Sequence, residues 1–162
     1  MRILGIDPGT ATVGFGIIEM TGRNYKVLDF GHISTEKTLS APARLNEIAN
    51  DLEGLCKQWE PDICAVEELF FSKNVTTALK VSEARGVILQ TLNRRGYPIH
   101  EYNPMQIKLA ITGDGRAVKK QVQKMVAILL KLESVPKPDD AADALAVALC
   151  FAHTPLHHPT YK

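Results

Sequence analysis

The sequence predicts an α/β domain: one five-stranded mixed sheet, three antiparallel strands followed by two parallel ones, with helices on both faces. Three observations predict it. The first three apolar runs are joined by connections so short that neighbouring strands must be antiparallel. The later apolar runs alternate with stretches of helical period, as in strands joined by crossover helices. The 162 residues, 45% hydrophobic and 23% charged, suit a single domain with a real core.

Residues 2–7, 13–20 and 24–35 read as the first three strands. Pro8 and Gly9 break the first connection, and Thr21-Gly22-Arg23-Asn24 is a polar turn suited to a hairpin. Pro42 sits well for the first turn of a helix, in which Leu45, Ile48, Leu52, Leu55 and Trp59 form an apolar stripe that Pro61 ends. Ile63 to Val66 is a fourth strand, followed by Glu67-Glu68, Leu69-Phe70-Phe71 and a polar loop. A long helix runs from about Val75 to Asn93, with Gly86 inside it; a mid-helix glycine costs roughly 1 kcal/mol against alanine, so close packing against another helix is the expected reason for it. Pro98 to Tyr102 is the fifth strand, and Asn103-Pro104 starts a short helix through Leu109. Thr112 to Arg116, with two glycines, reads as a mobile loop. Val118 to Leu130 gives a fourth helix, and Asp139 to about Ala152 a fifth with an alanine-rich apolar body. The expected organisation is one domain over residues 1–155 and a flexible tail over 156–162.

No apolar run approaches the roughly 20 residues of a membrane span. The N-terminus enters a strand at once, without a basic start or a cleavage site, so no signal peptide is expected. Cys56, Cys64 and Cys150 lie singly in apolar patterns, which fits a reducing cytoplasm and argues against a structural zinc site. The net charge of +1 conceals an uneven spread. Residues 36–68 carry eight acids against three bases, residues 73–95 five bases against one acid, and residues 108–131 six bases against one acid. The two basic segments could face a polyanion.

The chemistry is carried by carboxylates. Asp7 ends the apolar run Ile3-Leu4-Gly5-Ile6, and a buried carboxylate needs a cation, a donor or a metal, or it neutralises itself. Glu67 or Glu68 ends the fourth strand. Asp140 and Asp143, three apart, share one face of the last helix. The helix dipole alone accounts for Asp139 and Asp140. It accounts poorly for Asp143, set among Ala141, Ala142, Ala144 and Leu145. Carboxylates gathered from distant segments without Cys or His point to a hard divalent cation, Mg²⁺ or Mn²⁺. Two such ions about 4 Å apart can bracket a phosphodiester. With the basic helices and the Phe70-Phe71 pair, this chemistry suggests cutting a nucleic acid.

From Ile3 to about Ala152 the chain resembles the RuvC-type Holliday junction resolvases, bacterial endonucleases of the ribonuclease-H-like superfamily. The resemblance rests on Gly-Ile-Asp-Pro-Gly-Thr at 5–10, Val-Glu-Glu-Leu-Phe at 66–70 and Asp-Asp-Ala-Ala-Asp-Ala-Leu-Ala at 139–146. Asn103-Pro104-Met105-Gln106-Ile107-Lys108 and Lys120-Gln121-Val122-Gln123-Lys124-Met125-Val126 add to it. It implies a ribonuclease-H-like fold and four acidic ligands for two Mg²⁺ ions, falling on Asp7, Glu67, Asp140 and Asp143. The third ligand is His in some members and Asp here. Strand parity agrees with Glu67, since Ile63, Ala65 and Glu67 share a face. The resemblance also places active-site lysines at Lys108 and Lys119, with Lys120 adjacent, and a junction-probing aromatic at Phe70, with Phe71 next to it. DNA contacts are expected from Phe70, Phe71, Lys73, Lys108, Lys119 and Lys120.

The implied activity is resolution of four-way junction DNA by paired, symmetric nicks in recombination and repair, by a homodimer working with a branch-migration motor. The long helix, with Ala78, Val81, Ala84, Arg85, Gly86 and Leu89, offers the dimer interface. Three other readings compete. Residues 5–10 also resemble the first phosphate loop of the actin and sugar-kinase ATPases, although those need two such domains around the nucleotide. A nuclease-like fold that only binds DNA is opposed by the intact set of four acids. The related small resolvases of the same superfamily lack so close a match to the last helix and the Phe-rich loop.

Overall fold

A computed structural model describes residues 1–9, 11–69 and 75–154, and of residues 75–77 the backbone. Its centre is β1 (Arg2–Asp7), where Ile3, Leu4 and Ile6 have no exposed surface. β2 (Thr12–Thr21) and β3 (Asn24–Ser34) follow as antiparallel neighbours on one side of it. α1 (Ala41–Trp59) then carries the chain across the sheet to β4 (Ile63–Glu67), which pairs with β1 in parallel. α2 (Val75–Arg94) makes the second crossover, to β5 (Ile99–Tyr102), also parallel. The strand order is β3-β2-β1-β4-β5, the mixed sheet that the sequence predicts. α3 (Pro104–Thr112), α4 (Lys119–Leu129) and α5 (Asp139–His153) complete the chain.

The pleat divides the core in two. Leu4, Ile6, Val13, Ile17, Cys64 and Val66 face α1 and α2, where they meet Ile48, Leu52, Cys56, Ala84, Ile88 and Leu92. Ile3, Ile18 and Ala65 face α5, with α3 and α4 beyond it. Each fully buried Leu, Ile or Val contributes roughly 1.5–3 kcal/mol, so both faces are needed for stability. α5 is buried nearly all round, from Ala141 to Phe151 apart from Asp143, because the sheet lies on one side of it and α3 and α4 on the other. The three cysteines are buried and unpaired, and burial pushes the Cys56 thiol up to about 11. Among the described residues no helix is long and apolar enough to cross a membrane.

Three local expectations change. α3 runs three residues beyond Leu109, because Ile111 is buried and the Thr112 hydroxyl donates to the Lys108 carbonyl at 2.8 Å. Residues 112–116 are then a bonded turn instead of a loose loop. Asp114 N donates to Thr112 Oγ1 at 3.1 Å, and Arg116 N to Asp114 Oδ1 at 2.8 Å. Gly86 packs against none of the described residues: a Cβ there would have no described atom within 4 Å. Ala84 is the small residue of α2 that meets the core. The tail expected over 156–162 lies outside the described residues.

Candidate active site

Strand register builds the first half of the site. Ile6 pairs with Val66 in the parallel β1–β4 ladder, so the next residues, Asp7 and Glu67, stand side by side at the carboxyl ends of neighbouring strands. Ligands of open α/β sheets bind at this edge. Parity sends both side chains to the α5 face, the face of Ile3 and Gly5 on β1 and of Ile63 and Ala65 on β4. Glu68, one residue on, does not line the cleft, and its backbone N–H donates to Tyr102 O at 2.8 Å.

α5 supplies the second half. Its backbone lies directly on the sheet: a Cβ on Gly5 would stand 2.1 Å from Ala144 O, and one on Gly14 2.1 Å from Asp140 O. Only glycine admits a helix so close. The first two turns of α5 therefore reach β1, and carboxylate oxygens of Asp7, Asp140 and Asp143 come within 4.8 Å of one another. Glu67 adjoins this triad through a hydrogen bond with Asp7.

The cluster is strongly anionic. Burial holds the Asp7 carboxyl well above the ordinary range, and the charges of Glu67, Asp143 and Asp140 push it further. Burial, then the charge of Asp143, raises Glu67 to about 7, while the hydrogen bond with Asp7 works against that rise. Burial and mutual repulsion thus favour proton uptake by Asp7 and Glu67 alike. Lys119 Nζ lies 2.6 Å from Asp143 Oδ2. Burial opposes the Lys119 charge, yet the bond to Asp143 and the neighbouring carboxylates outweigh it and raise its pKa. The donors are all hard oxygens crowded together, and this set fits a divalent cation of the Mg²⁺ type better than zinc.

Asp7, Glu67 and Asp143 open on a cleft of about 330 Å³, lined also by Pro104, Ile107, Lys108, Lys119, Val122 and Ala146. The Asn103 side chain accepts from Gln106 N, and the Gln106 side chain from Asn103 N, each at 2.9 Å. This capping box fixes the start of α3 and sets Lys108 one turn further on, at the cleft. Lys120 is exposed and does not line it. Phe70, Phe71 and Lys73 lie outside the described residues.

Three residues bonded near the acids have no site role in the sequence analysis. Thr12 Oγ1 donates to Asp140 Oδ2 at 2.8 Å. Gln123 Nε2 donates to Asp143 Oδ1 at 3.3 Å. Arg85 donates to the Glu67 carbonyl at 3.4 Å and forms a tight ion pair with Glu101 of β5. A signal existed for Gln123, which lies four residues after Lys119 and so on the same face of α4.

The family model for crossover junction endodeoxyribonuclease RuvC matches residues 3–151, almost the whole chain. The chain belongs to the RuvC family. It is 54% identical to the crossover junction endodeoxyribonuclease RuvC of Heliobacterium modesticaldum, over 95% of either chain. The structure of Thermus thermophilus RuvC superposes with a TM-score of 0.87 at 35% identity, covering 94% of both chains. The same protein in complex with Holliday junction substrate gives 0.86 at 32% identity, again over 94% of each. Family membership makes the chain a DNA endonuclease and confirms the ribonuclease-H-like fold. It also removes the ATPase reading of residues 5–10.

Proposed function

We propose that this RuvC-family chain resolves four-way DNA junctions by hydrolysing phosphodiesters with divalent cations, Mg²⁺ foremost and Mn²⁺ as a substitute, two per site. Asp7, Glu67, Asp140 and Asp143 would hold them. The observation that carries the reading is the convergence of Asp7, Glu67, Asp143, Lys108 and Lys119 on one cleft, with Asp140 beside Asp7. Cations bound there would supply an activated water and charge neutralisation at the leaving oxygen. Asp7 is the shared member, part of the triad and bonded to Glu67. Lys108 and Lys119 bring two ammonium groups to the cleft, where they would orient a phosphate and oppose the charge it gains during cleavage.

The junction is the substrate on the strength of the Thermus thermophilus relative, which binds one. One site per chain and two symmetric cuts per junction call for a two-fold dimer. The aromatic pair Phe70-Phe71 would stack on opened bases near the crossover, and Lys73 and Lys120 would contact phosphate. The resemblance also supports a branch-migration motor as partner and a cytoplasmic site of action, with residues 1–155 as the nuclease domain and 156–162 as a tail.

The deciding experiment incubates the protein with a labelled synthetic four-way junction and Mg²⁺, with a linear duplex alongside. Paired, symmetric nicks should appear in the junction alone and vanish in EDTA. Asp7→Asn should abolish cleavage yet bind the junction as well as or better than the parent, because it removes negative charge beside the phosphate. Cleavage in EDTA would overturn the metal assignment, and normal cutting by Asp7→Asn would remove Asp7 from the mechanism.

A further inference from the structure

α4 buries Val122, Gln123, Val126 and Ala127, three apolar side chains and one amide. Among the described residues Gln123 is one of only three buried polar side chains, at 6% exposure. A buried amide is costly unless it is bonded; Gln123 Nε2 donates to Asp143 Oδ1 at 3.3 Å, and its side chain also bonds Asp139 at the start of α5. Lys119, one turn earlier, meets the other oxygen, Oδ2. The two donors differ in kind. The Lys119 side chain is charged and 55% exposed, so it can swing away and yield its place to another cation. The Gln123 amide is neutral and buried, and its bonds to Asp143 and Asp139 both tie it to the first turns of α5.

We infer that Gln123 is a positioning residue: it fixes Asp143 by Oδ1, so that Oδ2 alone exchanges an ammonium partner for a metal ion. This rests on the metal reading proposed above. A neutral donor suits the task. It sets the plane of the carboxylate without adding a positive charge that would repel a divalent cation, as a lysine or arginine at this position would. Partners of ligating carboxylates commonly govern affinity in this way, and their loss weakens metal binding roughly 10–100-fold.

The test is Mn²⁺ binding followed by electron paramagnetic resonance on DNA-free protein. It compares the parent with Gln123→Leu, Gln123→Met, Asp143→Asn and Gln123→Met combined with Asp143→Asn. Both Gln123 variants should bind Mn²⁺ roughly 10–100-fold more weakly, with unchanged circular dichroism in EDTA. Their junction cleavage should return to within a few-fold of the parent at saturating Mn²⁺. Methionine keeps the length of the side chain, so it preserves the measurement if leucine disturbs the fold. The combined variant should bind no more weakly than Asp143→Asn alone, because Gln123 acts through Asp143. Parental Mn²⁺ affinity in folded Gln123→Met, or additive losses in the combined variant, would overturn the inference while leaving the metal site standing. Parental affinity in Asp143→Asn would instead overturn the metal assignment, and the role of Gln123 with it.

Discussion

Glu67 makes the metal-free protein sensitive to pH. In the unfolded chain it titrates near its ordinary value of 4.5; in the fold, burial and the charge of Asp143 keep its proton to about 7. The folded state thus binds more protons than the unfolded state between these values. The Glu67 contribution is fully present below about pH 4.5 and is lost as pH rises through about 7, on the order of 3 kcal/mol in all. Asp7 is shifted in the same direction and adds to the effect. Thermal melts in EDTA should therefore show a lower midpoint at pH 8.5 than at pH 5. Glu67→Gln should flatten that difference, and a divalent cation should restore the midpoint at pH 8.5 by replacing protons. Equal midpoints for the parent at both values would contradict the assigned crowding. The acids were legible in the sequence because a charged residue is conspicuous at the end of an apolar strand or within an alanine-rich helix. Gln123 and Thr12 were not. A glutamine beside a helix stripe and a threonine after a turn look like solvated residues until α4 and β2 are packed against α5.

At the scale of the element, the contact of α5 with the sheet decides whether the acids meet. A methyl group on Gly5 would run into the Ala144 carbonyl and the Ala148 amide, both backbone atoms that cannot rotate aside. Gly5→Ala should lower stability by about 1–3 kcal/mol, the range for forcing extra volume into a packed core. Gly14→Ala acts nearer the site, at Asp140, and should weaken metal binding more than its loss of stability explains. Urea unfolding paired with Mn²⁺ titration separates the two effects, and parental stability in Gly5→Ala would show that α5 stands off the sheet. The elements themselves were readable from period and punctuation, since every expected strand and helix occurs within a few residues. What the pattern lacked was partner information. Within one chain the close approaches described are at strand glycines such as Gly5 and Gly14, where small residues attract little notice, while Gly86 meets no described atom and is left to a second chain.

At the scale of the molecule, the open face of α2 becomes the place to look for a second chain. Leu79 is 59% exposed, and a Cβ on Gly86, nearly two turns on, would meet no described atom within 4 Å. Sedimentation at micromolar concentration should report about twice the 17.8 kDa of one chain. Gly86→Leu should leave the protomer folded, since no described neighbour is displaced, while shifting the mass toward that of one chain. A full dimer in that variant would move the interface elsewhere. The order of the acids along the chain carries a separate consequence for how the protein is made. Asp7 and Glu67 are synthesised early, but Asp140 and Asp143 arrive on the last helix, which also fills much of one half of the core. A chain that stops before Asp139 lacks both the remaining acids and the packing that would gather them. Residues 1–138 alone should therefore fail to cut junction DNA, which a cleavage assay on that fragment checks, so a nascent chain would gain the activity only once α5 has been made.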